Sequence, residues 1–248
     1  MNDRVAVVTG GIGGLGTEIC KALARAGRKV VAADLASRGE RVDEFRKEVA
    51  SFGEQIRFEP LNVADRKDCA SLIERVDKQD GPVSILVNSA GITRDTSLRK
   101  MDATHWDDVI NINLSGVFNL CRLVVDGMTN QGFGRIVNIS SVNGQTGQFG
   151  QTNYSAAKAG LHGFTMALAR EVARKGVTVN SVSPGYCDTP MVRAVPEDIR
   201  KQIVASIPVG RLGEPREIAR TVSFLTDEDA GYITGANIPV NGGYFMSF

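Results

Sequence analysis

The chain has 248 residues, 42% of them apolar and 23% charged, with a formal net charge of +1. This length suits one large α/β domain or two small ones, with a substantial buried core. Near-neutral charge gives no electrostatic reason to expect nucleic acid or an anionic membrane as a partner. Cys20, Cys69, Cys121 and Cys187 stand far apart, with no Cys-x-x-Cys and only two His, so no metal site is expected and reduced thiols are the simplest reading. No charged leader precedes an apolar core, and no apolar run reads as long enough to span a bilayer, so a cytoplasmic protein is expected.

Strand-like runs alternate with helical segments along most of the chain. Residues 4–9 read as a strand and 17–26 as a helix closed by Gly27. A second strand covers 29–33, a charged amphipathic helix 40–51, and a third strand 56–61. A helix over 67–79 leads to a fourth strand at 84–87. Residues 104–128 form a long helix, 135–140 a fifth strand, 153–175 a second long helix and 177–183 a sixth strand. Shorter helices follow over 197–206 and 215–225, then a last strand over 237–240. The strands are near-continuous Val/Ile runs, as when helices cover both faces of a parallel sheet. This alternation predicts a single α/β domain over residues 1–248. Its core would be a doubly wound, Rossmann-type parallel sheet of about seven strands with helices on both faces. A segment around 188–209 is expected to form a lid over the substrate.

Between the first strand and the first helix stands Thr9-Gly10-Gly11-Ile12-Gly13-Gly14-Leu15-Gly16. Glycines there let the backbone approach a pyrophosphate, and the helix N-terminus offers free N–H groups to the anion. The spacing is Gly-x-x-x-Gly-x-Gly, and its place after a strand and before a helix points to a dinucleotide rather than to a plain tight turn. Asp34 closes the second strand. A carboxylate there hydrogen-bonds the adenosine ribose of NAD and repels the 2′-phosphate of NADP. Arg38 and Arg41 follow closely and could pair with such a phosphate. Gly13 adds no side chain and Leu35 no charge, so NADH is the expected cofactor and NADPH the alternative.

Tyr154 and Lys158 are four residues apart and share one face of the second long helix. A nearby ammonium favours the phenolate, so this pair suits a tyrosine tuned for general acid–base work. Taken alone, the spacing equally fits two residues that merely share a helix face. His105 and His162 lie on helices with no second ligand in pattern, and are read as structural.

Together these pieces resemble the short-chain dehydrogenase/reductase family over the whole chain. The resemblance is carried by Thr-Gly-x-x-x-Gly-x-Gly at 9–16, Asn88-Ser89-Ala90-Gly91, Asn113, Ser141, Tyr154-x-x-x-Lys158, Pro184-Gly185 and Asn241-Gly242-Gly243, in that order. Residues 134–169, with Gly91-Ile92-Thr93-Arg94-Asp95 and Pro184-Gly185-Tyr186, are most similar to the subgroup that reduces acetoacetyl-CoA in polyhydroxybutyrate synthesis. The 3-oxoacyl-carrier-protein reductases share much of this pattern.

The resemblance implies roles. Tyr154 would protonate the substrate oxygen as hydride reaches the carbonyl carbon. Lys158 would hold the nicotinamide ribose and lower the phenol pKa. Ser141 would polarise the carbonyl, and Asn113 would hold a water relaying protons to Lys158. Gly10, Ile12, Gly13, Gly14, Leu15, Gly16, Asp34, Asn62, Val63, Asn88, Ala90, Gly91, Tyr154, Lys158, Pro184 and Gly185 would contact the dinucleotide. Asn62-Val63 stands where the family usually has Asp-Val, Ser89 replaces an Asn, and Asn241 replaces an Asp. Thr189 would bond the nicotinamide carboxamide, or simply cap a helix. Asp95, Gln148, Phe149, Gln151 and Tyr186 would line the substrate pocket with Ser141 and Tyr154. The implied substrate is a small-molecule acyl-CoA thioester, acetoacetyl-CoA reduced to the (R)-3-hydroxy product, and the implied assembly is a homotetramer paired through the two long helices. Two alternatives stand beside this: a carrier-protein reductase, which an acidic partner and a basic patch at the pocket mouth would favour, and a non-catalytic nucleotide-binding redox sensor, which would not need Ser141, Tyr154 and Lys158.

Overall fold

A computed structural model of the protein describes residues 4–246. In chain order the strands are β1 (Val5–Thr9), β2 (Lys29–Asp34), β3 (Ile56–Pro60), β4 (Val83–Asn88), β5 (Gly134–Ile139), β6 (Val177–Pro184) and β7 (Asn237–Val240). The helices are α1 (Gly14–Arg25), α2 (Gly39–Glu48), α3 (Arg66–Gln79), α4 (Ala103–Ile110), α5 (Gly116–Gln131), α6 (Asn143–Thr146), α7 (Thr152–Val172), α8 (Pro190–Arg193), α9 (Glu197–Ser206) and α10 (Pro215–Leu225). The strands pair in parallel as one seven-stranded sheet in the order β3-β2-β1-β4-β5-β6-β7.

Both faces of the sheet are apolar because each strand sends alternate residues to opposite sides. Val5 and Val7 of β1 join one core, and Ala6 and Val8 join the other. The first core is closed by α3, α5 and α7, through residues such as Leu72, Leu120, Val124 and Leu161. The second is closed by α1, α2 and α10, through Ile19, Leu23, Phe45, Ile218 and Val222. The strand order reverses between β1 and β4. In such sheets ligands bind beyond the carboxyl ends of the strands at that reversal, and Thr9 and Asn88 end these two strands in register.

Three details depart from the sequence reading. The helix expected over 104–128 is α4 and α5 joined by a π-helical turn, Asn111–Ser115. The whole rod, Ala103–Gln131, is by length and composition long and apolar enough to cross a membrane, contrary to expectation. Its inner residues Val117, Leu120, Val124 and Met128 are in the sheet core, which accounts for that apolarity. The charged helix expected to run to residue 51 stops at Glu48. A 3-10 stretch, Ala50–Gln55, follows, with Gly53 at φ 55°.

Candidate active site

The loop after β1 folds back on itself. Gly10 has a φ of +64°, and a Cβ there would stand 2.8 Å from Ala90 backbone atoms, so only glycine lets the ends of β1 and β4 meet. The Thr9 hydroxyl closes the junction by accepting the Ser89 and Ala90 N–H groups, each at 3.1 Å. Helix α1 begins with no side-chain cap and no acidic residue in its first turn. Its leading N–H groups are therefore free for an anion. A cleft of about 420 Å³ opens beside them, lined by Gly10, Gly13, Asp34, Arg38, Asn62, Val63, Ala90 and Gly91. An adenosine-sized group fits these walls. Ile12 departs from expectation: its side chain is wholly buried in the core, and its carbonyl accepts Arg41 Nε at 2.6 Å. Gly16 is buried against the loop and does not line the cleft. Gly14 packs toward Thr189, with 3.2 Å between a notional Cβ and the Thr189 methyl.

Asp34 is 9% exposed and already accepts two donors, Leu35 N at 2.8 Å and Arg38 Nη1 at 2.9 Å. Arg41 is engaged with Ile12 O, Thr17, Glu44 and Glu48, so of the two arginines only Arg38 lines the cleft. The Asn62 carboxamide accepts Ala64 N at 3.1 Å and holds the turn after β3. Asn88 is a correction. Its amide donates to Asn138 Oδ1 at 2.9 Å and contacts Cys121 Sγ at 3.5 Å inside the core, so its side chain is not offered to a nucleotide.

A second cavity, about 230 Å³, is lined by Leu15, Ser141, Asn143, Gln151, Tyr154, Lys158, Pro184, Gly185, Tyr186 and Thr189, among others. Ser89, Gly91, Ile92 and Thr93 line both spaces, so the two form one continuous cleft. Thr189 occupies the N-cap position of α8 but makes no side-chain cap bond. Ser141 neighbours the Tyr154 phenol and lowers its pKa as a hydrogen-bonding group would, and its Oγ accepts Asn143 N at 3.1 Å. Lys158, four residues past Tyr154 on α7, lies with Nζ 5.6 Å from the phenol ring centroid and donates to Ile139 O at 2.7 Å.

The expected acidification of the phenol is overturned. Burial holds Tyr154 above the usual tyrosine value. The Ser141 hydrogen bond opposes this and the Asp95 charge adds to it. Lys158 is itself pushed down to about 8 by burial. Asn113 is the expected holder of a relay water. It is fully buried, and its carboxamide accepts Ile92 N at 2.8 Å and donates to Ile92 O at 2.9 Å. These two bonds fix its side chain and leave one N–H and one lone pair of the amide uncommitted. Its oxygen and Lys158 Nζ both lie within 3.5 Å of where a Cβ on Gly91 would be.

The buried lysine has a measurable consequence. Between about pH 8 and the ordinary lysine value the unfolded chain holds one more proton than the native one, so stability rises with pH across that window. Below it, the native state carries the full penalty of burying the charge. Lys158→Met is therefore expected to raise stability at neutral pH by about 2 kcal/mol, after allowing for the lost bond to Ile139, while removing activity. That gain should vanish above about pH 10.4. Thermal melts across the range check it, and a melting point lowered at neutral pH would contradict it.

Among the expected pocket residues, Gln151 and Tyr186 line the cavity. Tyr186 packs edge-on against Tyr244, with ring centroids 5.6 Å apart. Gln148 and Phe149 do not line it. Both are exposed on their loop, Phe149 at 91%. Asp95 does not line it either, and accepts Gln151 Nε2 at 2.8 Å. His105 is half-buried and bonds its own cap residue Asp102. Sequence reasoning underrated His162, whose Nε2 is 2.8 Å from Ser140 Oγ and 3.3 Å from Ser183 Oγ behind the site. It also passed over Asn143, the neighbour of Ser141. Neither carries a pattern in sequence, since their partners are remote.

A family model described as enoyl-(acyl carrier protein) reductase matches residues 10–245. An acetoacetyl-CoA reductase of Allochromatium vinosum is 54% identical over 243 residues, 98% of this chain and 99% of that protein. Another, of Cupriavidus necator, is 52% identical over 246 residues, 99% of this chain and 100% of that protein. A 3-oxoacyl-(acyl-carrier-protein) reductase of Pseudomonas aeruginosa is 45% identical over 248 residues, 100% of this chain and 99% of that protein.

Proposed function

The chain belongs to the short-chain dehydrogenase/reductase family, and within it we propose a nicotinamide-dependent reductase that takes acetoacetyl-CoA to (R)-3-hydroxybutyryl-CoA. One observation carries this reading: Ser141, Tyr154 and Lys158 line one cavity, and that cavity runs into the dinucleotide-shaped cleft. Bound there, a reduced nicotinamide supplies the hydride. Ser141 accepts the Asn143 N–H, which leaves its own proton free to hold the substrate oxygen. Tyr154 gives its proton to that oxygen as negative charge develops on it. A phenol kept protonated by burial is ready for this, because the developing alkoxide is a far stronger base than a phenolate. Lys158 places a cation beside the ring and within reach of a ribose. Binding and orientation are the rest of the protein's contribution.

The cofactor preference follows Asp34, and NADH is the proposed partner. The ribose hydroxyls would replace Arg38 on the carboxylate. CoA, rather than a carrier protein, is favoured by the likeness to acetoacetyl-CoA reductases; Arg94 and Arg122 are opposed by Asp108 and Asp126, 3.5 and 3.8 Å away, while Arg99 stands exposed beside Lys100. A comparison of kcat/KM for acetoacetyl-CoA and acetoacetyl-carrier protein, each with NADH and NADPH, tests both points. A higher value for the carrier-protein substrate would overturn the first, and an NADPH preference the second. We also propose a homotetramer built on α5 and α7. Their outer faces expose Phe118, Leu123 and Met166, at 44, 37 and 53%. Light scattering should give four times the 26.6 kDa chain mass, and a monomer would refute it.

A further inference from the structure

We propose that Asn143 is a positioning residue for the Ser141 hydroxyl, set in place by a line of hydrogen bonds that starts at Asp95 and passes through Gln151. The proposal rests on the reductase reading, since it assigns Ser141 a partner in that reaction. The line begins at a fixed point. On one side of Asp95, the Arg94 carbonyl accepts Asn153 Nδ2 at 3.2 Å. On the other, Thr96 N donates to Gly150 O at 2.8 Å. Asn153 is itself fully buried, one residue before Tyr154. The loop bearing the carboxylate is thus tied to the start of α7 on both sides.

A carboxylate can only accept, and that fixes every group after it. Gln151 must turn Nε2 toward Asp95, at 2.8 Å. Its Oε1 then faces Asn143, which must present Nδ2, also at 2.8 Å. Asn143 Oδ1 is left on the far side, buried with no hydrogen-bond partner among the described residues. A buried acceptor without a donor is unfavourable and normally avoided. It persists here because reversing the Asn143 amide would set oxygen against oxygen at Gln151. Asn143 is 8% exposed, and its backbone N–H donates to Ser141 Oγ at 3.1 Å. The line therefore ends on the hydroxyl that shares the cavity with the Tyr154 phenol.

Two consequences separate this from direct substrate contact. Each polar atom of Gln151 makes one bond within the protein, so Gln151 and Asp95 reach Ser141 through Asn143, whatever Gln151 also offers to the cavity it lines. The side chain of Asn143, which ties the Ser141 turn to the helix carrying Tyr154, sets the distance between the two catalytic hydroxyls. Loosening that tie should reduce kcat and leave dinucleotide binding alone.

The test is a reversal of polarity in the full-length protein. Asn143→Asp removes the donor facing Gln151 and should reduce kcat about 100-fold, the scale of a small misplacement at the reacting atoms, with an unchanged KM for NADH. Asp95→Asn alone should be mild, because an amide at 95 still accepts from Gln151. In the combined variant Gln151 can turn over, giving Nε2 to the carboxylate at 143 and accepting from the amide at 95. Its kcat should recover at least about tenfold over Asn143→Asp. A combined variant no faster than Asn143→Asp overturns the proposal, as does wild-type kcat in Asn143→Asp. Should that variant fail to melt cooperatively, Asn143→Ala replaces it, with about a tenfold loss of kcat expected and wild-type kcat again refuting. Wild-type protein that does not reduce acetoacetyl-CoA would sink the reductase reading alone. The line of bonds is then read from hydrogen exchange at the Asn143 side-chain amide, slow in wild type and at least about tenfold faster in Gln151→Ala. Equal rates there overturn it.

Discussion

Alanine at position 16 is expected to abolish useful dinucleotide binding. A Cβ on Gly16 would stand 2.1 Å from the Gly10 carbonyl oxygen and 2.8 Å from its carbonyl carbon. Those are backbone atoms of the loop that forms the cleft wall, so no side chain can rotate away. Relief must come from moving the loop or α1, and both are set by strand pairing and by the Thr9 bonds to Ser89 and Ala90. Overpacking of this kind costs about 1–3 kcal/mol in stability. Because the displaced atoms are those that meet the pyrophosphate, a loss of similar size is expected in binding, on the order of 100-fold in Kd for NADH. Gly14→Ala is the internal control. Its Cβ would meet only the Thr189 side chain, at 3.2 Å and 3.3 Å, together with Pro190 Cδ at 3.4 Å. Fluorescence titration of both variants with NADH, beside thermal melts, checks the contrast. Equal affinities would show that the loop yields more easily than its contacts imply.

Much of the fold was legible because strands buried on both faces must be apolar at nearly every position. The Val/Ile runs of β1, β2 and β4 could be placed to within a residue or two. The π-helical turn at Asn111–Ser115 could not, since apolar periodicity continues on either side of it. The early end of α2 had no signal either, since the helix stops at Glu48, well before the positive φ of Gly53 in the 3-10 stretch that follows. At the site, helical spacing brought Tyr154 and Lys158 onto one face, and loop position brought Ser141 near. Which way a loop side chain turns follows no period, and there the reading failed. Ile12 enters the core, Asn88 pairs across strands with Asn138, and Phe149 stands in solvent. The ionisation of Tyr154 was misjudged for a related reason. Proximity to a lysine was visible in sequence, but the depth of burial, which outweighs it, was not.

Tyr154→Phe should have the largest catalytic effect. It keeps the ring, the packing on α7 and the approach of Lys158, and removes only the phenol oxygen beside Ser141. General acid catalysis by a positioned group contributes roughly 100- to 10,000-fold. A fall of about 1,000-fold in kcat is expected, with Kd for NADH within about twofold of wild type, because no wall of the dinucleotide cleft is altered. Lys158 should stay buried and Ser141 should stay bonded to Asn143. The loss would then belong to the proton and not to a disordered site.

The most direct measurement is a single-turnover comparison of wild-type and Tyr154→Phe protein, preloaded with NADH and mixed with acetoacetyl-CoA, following nicotinamide oxidation and the chirality of the product. Stoichiometric oxidation to (R)-3-hydroxybutyryl-CoA in wild type, slowed about 1,000-fold by loss of the phenol oxygen, is the predicted result. Oxidation at the same rate in both proteins would mean that another group supplies the proton.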